Sequence, residues 1–220
     1  MKRIIIALIT MVLTVPMSAQ YNRYPGRPVG NTHTSYRPHR NATYYGLRLG
    51  AAISTVNSDD KQLDGGSAQT GLNVGAVLGY QLVPSSPVYL ETGLFYTEKG
   101  GKGVHNSKNF TYNLNYLEVP LLLKYEIDTN SPVSIVPFMG GYLACGVGGQ
   151  IKDYGDRKAF SSFDDNTFKR FDGGLRIGCG IQYDIIYAEA AYEFGLANIC
   201  DDAFDTSHNR CFYLNCGVNF

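Results

Sequence analysis

From residue 44 to the C-terminus, apolar side chains return at every second position, segment after segment. Tyr45, Leu47, Leu49, Ala51 and Ile53 alternate with Gly46, Arg48, Gly50, Ala52 and Ser54. Leu72, Val74, Ala76, Leu78, Tyr80 and Leu82 alternate with Gly71, Asn73, Gly75, Gly79 and Gln81, and Val77 breaks the pattern. Leu90, Leu94 and Tyr96 stand against Glu91, Gly93 and Thr97; Leu117, Val119, Leu121, Leu123 and Tyr125 stand against Glu118, Lys124 and Glu126. Phe171, Leu175, Ile177, Cys179, Ile181 and Tyr183 oppose Asp172, Gly174, Arg176, Gly178, Gly180 and Gln182. Ile186, Ala188, Ala190, Tyr192 and Phe194 oppose Glu189 and Glu193, and Phe212, Leu214, Cys216, Val218 and Phe220 oppose Tyr213, Asn215, Gly217 and Asn219. Side chains on a strand alternate faces, so each segment reads as a strand with one apolar and one polar or small face. Residues 133–146 carry Pro137 and Gly140-Gly141 and have no clean polarity; counted as a strand, they complete a set of eight.

The connections decide which face meets which solvent. Residues 57–69, 99–109, 147–168 and 195–209 are long and polar, whereas 83–87, 127–132 and the turn around Asp184 are short. Strict alternation of long and short connections is the habit of outer-membrane barrels. A soluble barrel would turn its apolar face inward and has no reason for that asymmetry. The polar faces also hold Arg48, Glu91, Glu118, Lys124, Arg176 and Glu189, too many charges for a soluble core unless all are paired. Tyr45, Tyr80, Tyr96, Tyr125, Tyr183 and Phe194 fall at strand ends, where aromatic girdles meet the headgroups. The expected fold is all-β: an eight-stranded antiparallel transmembrane β-barrel of outer-membrane type over residues 44–220.

Ahead of it, Lys2 and Arg3 precede an apolar run over residues 4–15 and then Pro16-Met17-Ser18-Ala19, the outline of a secretory signal peptide over residues 1–19. The run is too short for a spanning helix, which needs about 20 apolar residues. Residues 20–43 hold Arg23, Arg27, Arg37 and Arg40 with Pro25, Pro28 and Pro38 and no acidic residue, which predicts a disordered periplasmic lead. Composition adds one exclusion. Among 220 residues, 19 basic side chains balance 19 acidic ones, so the chain lacks the excess basic charge of a nucleic-acid binder.

The segments Leu47-Arg48-Leu49-Gly50-Ala51, Leu90-Glu91-Thr92-Gly93-Leu94-Phe95-Tyr96 through Lys99-Gly100, and Tyr116-Leu117-Glu118-Val119-Pro120-Leu121-Leu122-Leu123-Lys124-Tyr125 resemble the PorT-like outer-membrane β-barrel family of Bacteroidetes. The resemblance covers roughly residues 44–220, and Leu117-Glu118-Val119-Pro120-Leu121 is its most specific part. It implies residence in the outer membrane among lipid and lipopolysaccharide, insertion by the barrel-assembly machinery with Phe220 as the assembly signal, and kinship with a protein linked to secretion.

Candidate chemistry is sparse. Eight strands enclose an interior just wide enough to be filled by side chains. Arg48, Lys124 and Arg176 facing Glu91, Glu118, Glu189 and Glu193 therefore read first as a plug of ion pairs, and as a narrow conduit second. Inward glycines leave room for Arg and Tyr side chains to cross. Cys200 and Cys211 bracket the last long loop, and a disulfide there would contribute roughly 3 kcal/mol by loop entropy. No Cys-x-x-Cys occurs and the four His are scattered, so neither a metal nor a cofactor is expected. Asp59, Asp60, Asp64, Asp164, Asp165, Asp201, Asp202 and Asp205 read as solvating loop residues or, alternatively, as ligands of divalent cations near lipopolysaccharide. Lys99, Lys102 and Lys108, taken as loop residues, read as solubilising or as facing lipopolysaccharide phosphates. Ser207-His208 with Asp205 is the sole catalytic alternative, a lipid-modifying enzyme, and such a set is recognised by geometry rather than by proximity in sequence. The expected function is non-enzymatic: envelope structure, or a platform whose loops or lead engage a protein partner.

Overall fold

The computed structural model describes residues 42–58, 67–83, 86–105, 108–129, 131–152, 159–163, 168–200 and 207–220. The expected signal segment, the expected lead up to residue 41 and the aspartates 59, 60, 64, 164, 165, 201, 202 and 205 lie outside the described residues.

Eight long strands are present among the described residues: β1 (Thr43–Ser58), β2 (Gln69–Gln81), β3 (Val88–His105), β4 (Lys108–Tyr125), β5 (Val133–Gly148), β6 (Phe171–Tyr183), β7 (Ile186–Gly195) and β8 (Ser207–Asn219). Each pairs antiparallel with its sequence neighbours, and β8 pairs with β1 over thirteen rows from Gly46↔Asn219 to Ser58↔Ser207, which closes the ring. Closure removes the exposed sheet edge, as a bilayer requires, since hydrocarbon offers no partner to a free N–H or C=O.

The stagger of the ring follows from the register. Ile53 faces Phe212, then in turn Tyr192, Ile177, Met139, Leu123, Leu90 and Tyr80, and the path returns to β1 at Thr43, ten residues from its start. A stagger of ten over eight strands, with ~3.3 Å rise and ~4.8 Å between strands, tilts the strands by about 40°. The outward apolar residues then line up as a belt. Tyr45 to Ile53, Leu72 to Tyr80, Leu117 to Tyr125, Ile186 to Phe194 and Phe212 to Phe220 all lie on the outer face. Each of these spans is nine residues long, eight steps of ~3.3 Å or about 20 Å of height at that tilt, close to the ~25 Å apolar band of outer-membrane barrels. Leu49, Leu121 and Leu214 are half or more exposed, and their outward neighbours Leu47, Val119 and Leu123 nearly so, as hydrocarbon-facing residues must be.

Above the belt the pattern changes phase without a break. On β4 the inward side chains Phe110, Tyr112, Leu114 and Tyr116 are buried while Thr111, Asn113 and Asn115 face out; one residue on, Leu117, Val119, Leu121 and Leu123 face out and Glu118 and Lys124 face in. Water surrounds the upper part and lipid the lower, so the same two-residue period carries opposite polarity. This accounts for two corrections. The loop expected over residues 99–109 is for the most part a β3–β4 hairpin, paired up to His105↔Lys108. The long connection 147–168 holds two further short strands, Gln150–Lys152 against β4 and Phe160–Ser161 beside it, which widen the outer sheet. At the opposite end, Ile127–Asp128 pairs with Ile135 and Ser134, and Asp184 adopts φ 51° in the tight β6–β7 turn, a left-handed conformation that Asp tolerates.

The ambiguous strand resolves simply. β5 turns Val136, Phe138, Tyr142 and Ala144 inward and Ile135, Met139 and Leu143 outward, so both of its faces are apolar. Val77, the break in β2, is likewise inward and buried.

Candidate functional site

The barrel axis is where chemistry-bearing side chains converge. Arg48, Glu91, Glu118, Lys124, Arg176, Glu189 and Glu193 all point inward and are buried, and they form two groups. In the group nearer the short turns, Lys124 Nζ lies 2.8 Å from Glu91 and 3.5 Å from Glu189, and Arg48 lies 3.6 Å from Glu91. Tyr44 donates to Glu91 (2.7 Å), Lys124 donates to Tyr187 Oη (3.0 Å), and the Arg48 guanidinium stacks 4.3 Å from the centre of the Tyr187 ring. Two cations meet two carboxylates here, so the formal charge closes.

The second group sits higher. Arg176 pairs with both Glu118 and Glu193. Lys99 lies 2.7 Å from Glu193, 3.0 Å from Glu118 and 3.6 Å from Asp172, with the Tyr142 ring centre 4.5 Å from its ammonium. Tyr213 donates to Glu193 (2.8 Å) and Asn209 to Asp172 (2.8 Å). Lys99 is the principal correction to the sequence reading, which puts it in a loop facing phosphates: it is wholly buried inside the barrel. The alternation Glu91, Gly93, Phe95, Thr97 leads straight to it, and only the following Gly100-Gly101 pair imitates the end of a strand. Asp172 falls on the polar face in the sequence pattern but has no assigned partner there. Lys102 is exposed, and the Lys108 side chain is outside the described residues.

A chain of amides joins the groups to the wall: Thr97 donates to Asn73 (2.8 Å), Asn73 to Asn215 (2.9 Å) and Asn215 to Glu189 (2.9 Å). Apolar side chains fill what remains. Ala52, Leu122, Phe138 and Ala191 form one buried cluster with Cys211 and Tyr213, and Phe110, Tyr112, Leu114, Ile151, Phe163 and Phe168 belong to another within the upper sheet. Inward glycines give these rings their seats. A Cβ at Gly180 would collide with the Tyr187 ring, at Gly178 with Phe138, at Gly79 with Tyr44 and at Gly75 with Phe95.

The remaining candidates separate. Cys211 is a thiol that donates to Phe212 O (3.9 Å), and the expected bond to Cys200 is not made. Ile199 N donates to Ser207 O, which puts Cys200 level with the top of β8, whereas Cys211 lies four residues further down. At ~3.3 Å per residue that offset is about 13 Å, beyond the ~7 Å Cα reach of a disulfide. Ser207 faces inward, bonded to Ser58 (2.7 Å), while His208 on the opposite face contacts Ala197 O (3.0 Å); the two cannot converge on one substrate, and Asp205 is outside the described residues. Phe220 lies on the outer face with its ring 5.6 Å from that of Tyr45, and the two residues exchange backbone hydrogen bonds.

The family model described as the Outer membrane protein beta-barrel domain matches residues 19–201. Among solved structures, a major outer membrane protein from Thermus thermophilus is similar at 14% identity, with 82% of this chain and 100% of that chain covered and a TM-score of 0.50. OprG from Pseudomonas aeruginosa is similar at 15% identity over 81% and 96% of the two chains, TM-score 0.46. Ail, the attachment invasion locus protein of Yersinia pestis, solved with the heparin analogue sucrose octasulfate, is similar at 16% identity over 82% and 100%, TM-score 0.44. No curated protein matches the chain. The family match over most of the sequence agrees with the closed ring and its lipid-type outer face: the chain belongs to the Outer membrane protein beta-barrel domain family and is a small outer-membrane β-barrel protein.

Proposed function

We propose that this protein is a sealed, non-enzymatic barrel that serves envelope structure and presents a docking platform to a protein partner. The observation that carries this reading is the filled axis: two ion clusters, the amide chain and the aromatic clusters together occupy the interior. In an eight-stranded barrel such filling leaves no continuous aqueous path, so the charged residues lock the wall rather than line a pore. The platform half of the reading rests on the outer sheet. The β3–β4 hairpin and its two short companions stand above the belt with a dry inner face and a polar outer one, a folded surface on which loops can be displayed. The PorT-like resemblance supports a secretion-linked partner, engaged through those loops or the Arg-rich lead, in a protein exported by a cleaved signal peptide.

Planar-bilayer recording on the purified full chain tests the sealed interior. The expected result is no steady conductance above the bare membrane; reproducible unitary steps would overturn it and bring forward the narrow channel. Replacing residues 100–111 by a two-residue turn tests the platform: the belt should still fold and insert, and any partner captured by the intact chain should be lost.

A further inference from the structure

We infer that Arg48 sets the register in which the first and last strands close, and with it the stagger of the whole barrel. The need for such a device is geometric. A slip of one residue between β1 and β8 would turn every side chain to the wrong solvent, but a slip of two preserves all facings. The outer seam residues Leu47, Leu49 and Ala51 opposite Val218, Cys216 and Leu214 are all apolar, so hydrocarbon scarcely distinguishes the native register from a slip of two. No hairpin joins β1 to β8, so no turn fixes their alignment either.

Arg48 does distinguish them. Its side chain leaves β1 opposite Gly217, and a Cβ at Gly217 would lie 3.0 Å from Arg48 Cδ. Its guanidinium donates across the seam to Asn219 Oδ1 (2.7 Å) and Val218 O (3.2 Å), while stacking on Tyr187 of β7 and pairing with Glu91 of β3. Gly46 widens the same slot: a Cβ there would meet Arg48 Nη1 at 2.8 Å and Asn219 Oδ1 at 2.5 Å. Slipped by two, Arg48 would face Asn215 or Asn219 instead of Gly217, with side chain where the slot now is. Its carbonyl acceptor would also move by about 7 Å along the strand. A further side-chain bond across the seam, Ser58 to Ser207, lies at the top of the strands and joins two hydroxyls without charge. A slip of two at this seam would change the stagger from ten to eight or twelve, altering tilt and diameter together.

The native Cys216 provides the test. It lies on the outer face directly opposite Leu49, and a slip of two would bring it opposite Leu47 or Ala51. Leu49→Cys, Leu47→Cys and Ala51→Cys are each introduced into the full chain, refolded in detergent micelles and oxidised with copper phenanthroline, whose zero-length disulfide crosslink joins directly opposed residues but not diagonal neighbours about 7–8 Å apart, with crosslinked peptides identified by mass spectrometry. With Arg48 in place, the 49–216 crosslink should exceed the 47–216 and 51–216 crosslinks by tenfold or more, the discrimination expected of a charged hydrogen bond. In the Arg48→Ala background the slipped crosslinks should rise to a comparable yield. Equal discrimination with and without Arg48, or slipped crosslinks already abundant with it, would overturn the inference. If Arg48→Ala does not fold, Asn219→Ala decides: it keeps the ion pair with Glu91, and it should raise the slipped fraction severalfold if the guanidinium reads β8 and leave it unchanged if not.

Discussion

Single residues inside this barrel are held by more than one partner, and Glu193 is the clearest case. It accepts from Lys99, Arg176 and Tyr213, all buried. Glu193→Ala takes the acceptor from all three of these donors and leaves Lys99 and Arg176 on Glu118 and Asp172 alone, and each hydrogen bond to a charged group that is lost costs about 1.5–3 kcal/mol. Urea titration of the folded form in micelles should show that loss. Lys102→Ala, on the exposed part of β3, should stay within about 0.5 kcal/mol on the same measurement. At this scale the sequence is readable where charge and alternation coincide, as for Arg48, Glu91 and Arg176. It is unreadable at Lys99, because the neighbouring glycines imitate a turn and because its three carboxylate partners come from β4, β6 and β7, none of them local.

Strands differ in how much of their pairing the backbone supplies. Pro120 sits inside β4 with no N–H to give, and the β3–β4 ladder skips the rows between Thr92↔Leu121 and Phe95↔Glu118. The Thr92 hydroxyl donates to Pro120 O (2.8 Å) at that gap. Thr92→Val keeps the shape and removes the bond, so it should cost about 1 kcal/mol and speed amide exchange around residues 118–122. Glycine seats give a second test. At Gly174 a Cβ would press on Phe194 O, backbone that cannot swing aside. Gly174→Ala should therefore cost more than the roughly 1–3 kcal/mol of ordinary overpacking and lower the temperature at which the compact form unfolds in detergent. β5 shows why one element resists the sequence: its inward face packs apolar rings across the axis, so burial by protein and burial by lipid select the same residues.

For the molecule as a whole, the decisive question is which side meets hydrocarbon. Cys179 and Cys216 lie on the outer face within the belt, whereas Cys211 is buried inside. Nitroxides attached at Cys179 and Cys216 in bilayers should be relaxed by oxygen, which partitions into hydrocarbon, and protected from a water-soluble nickel chelate; the reverse ranking would mean that the belt faces water. Seven of the eight strands and the outward belt are legible from periodicity, and the eighth follows from the even count that a closed barrel with alternating long and short connections requires. The outer sheet is not, because an amphipathic strand in water and one in lipid carry the same period and differ only in phase.

That change of phase has a practical meaning. On β4 the waterline falls between Asn115 and Leu117; the ladder with β3 runs through it unbroken, while the ladder with β5 shifts by one residue at Asn115 and Tyr116. The depth at which the protein floats is therefore set by the chemistry of a few outward residues at a level where the β4–β5 ladder also changes register. Asn113→Leu with Asn115→Leu should carry the apolar outer face of β4 about 13 Å further along that strand and seat this side of the barrel deeper in a thicker bilayer, a draught that depth-resolved nitroxide measurements can read.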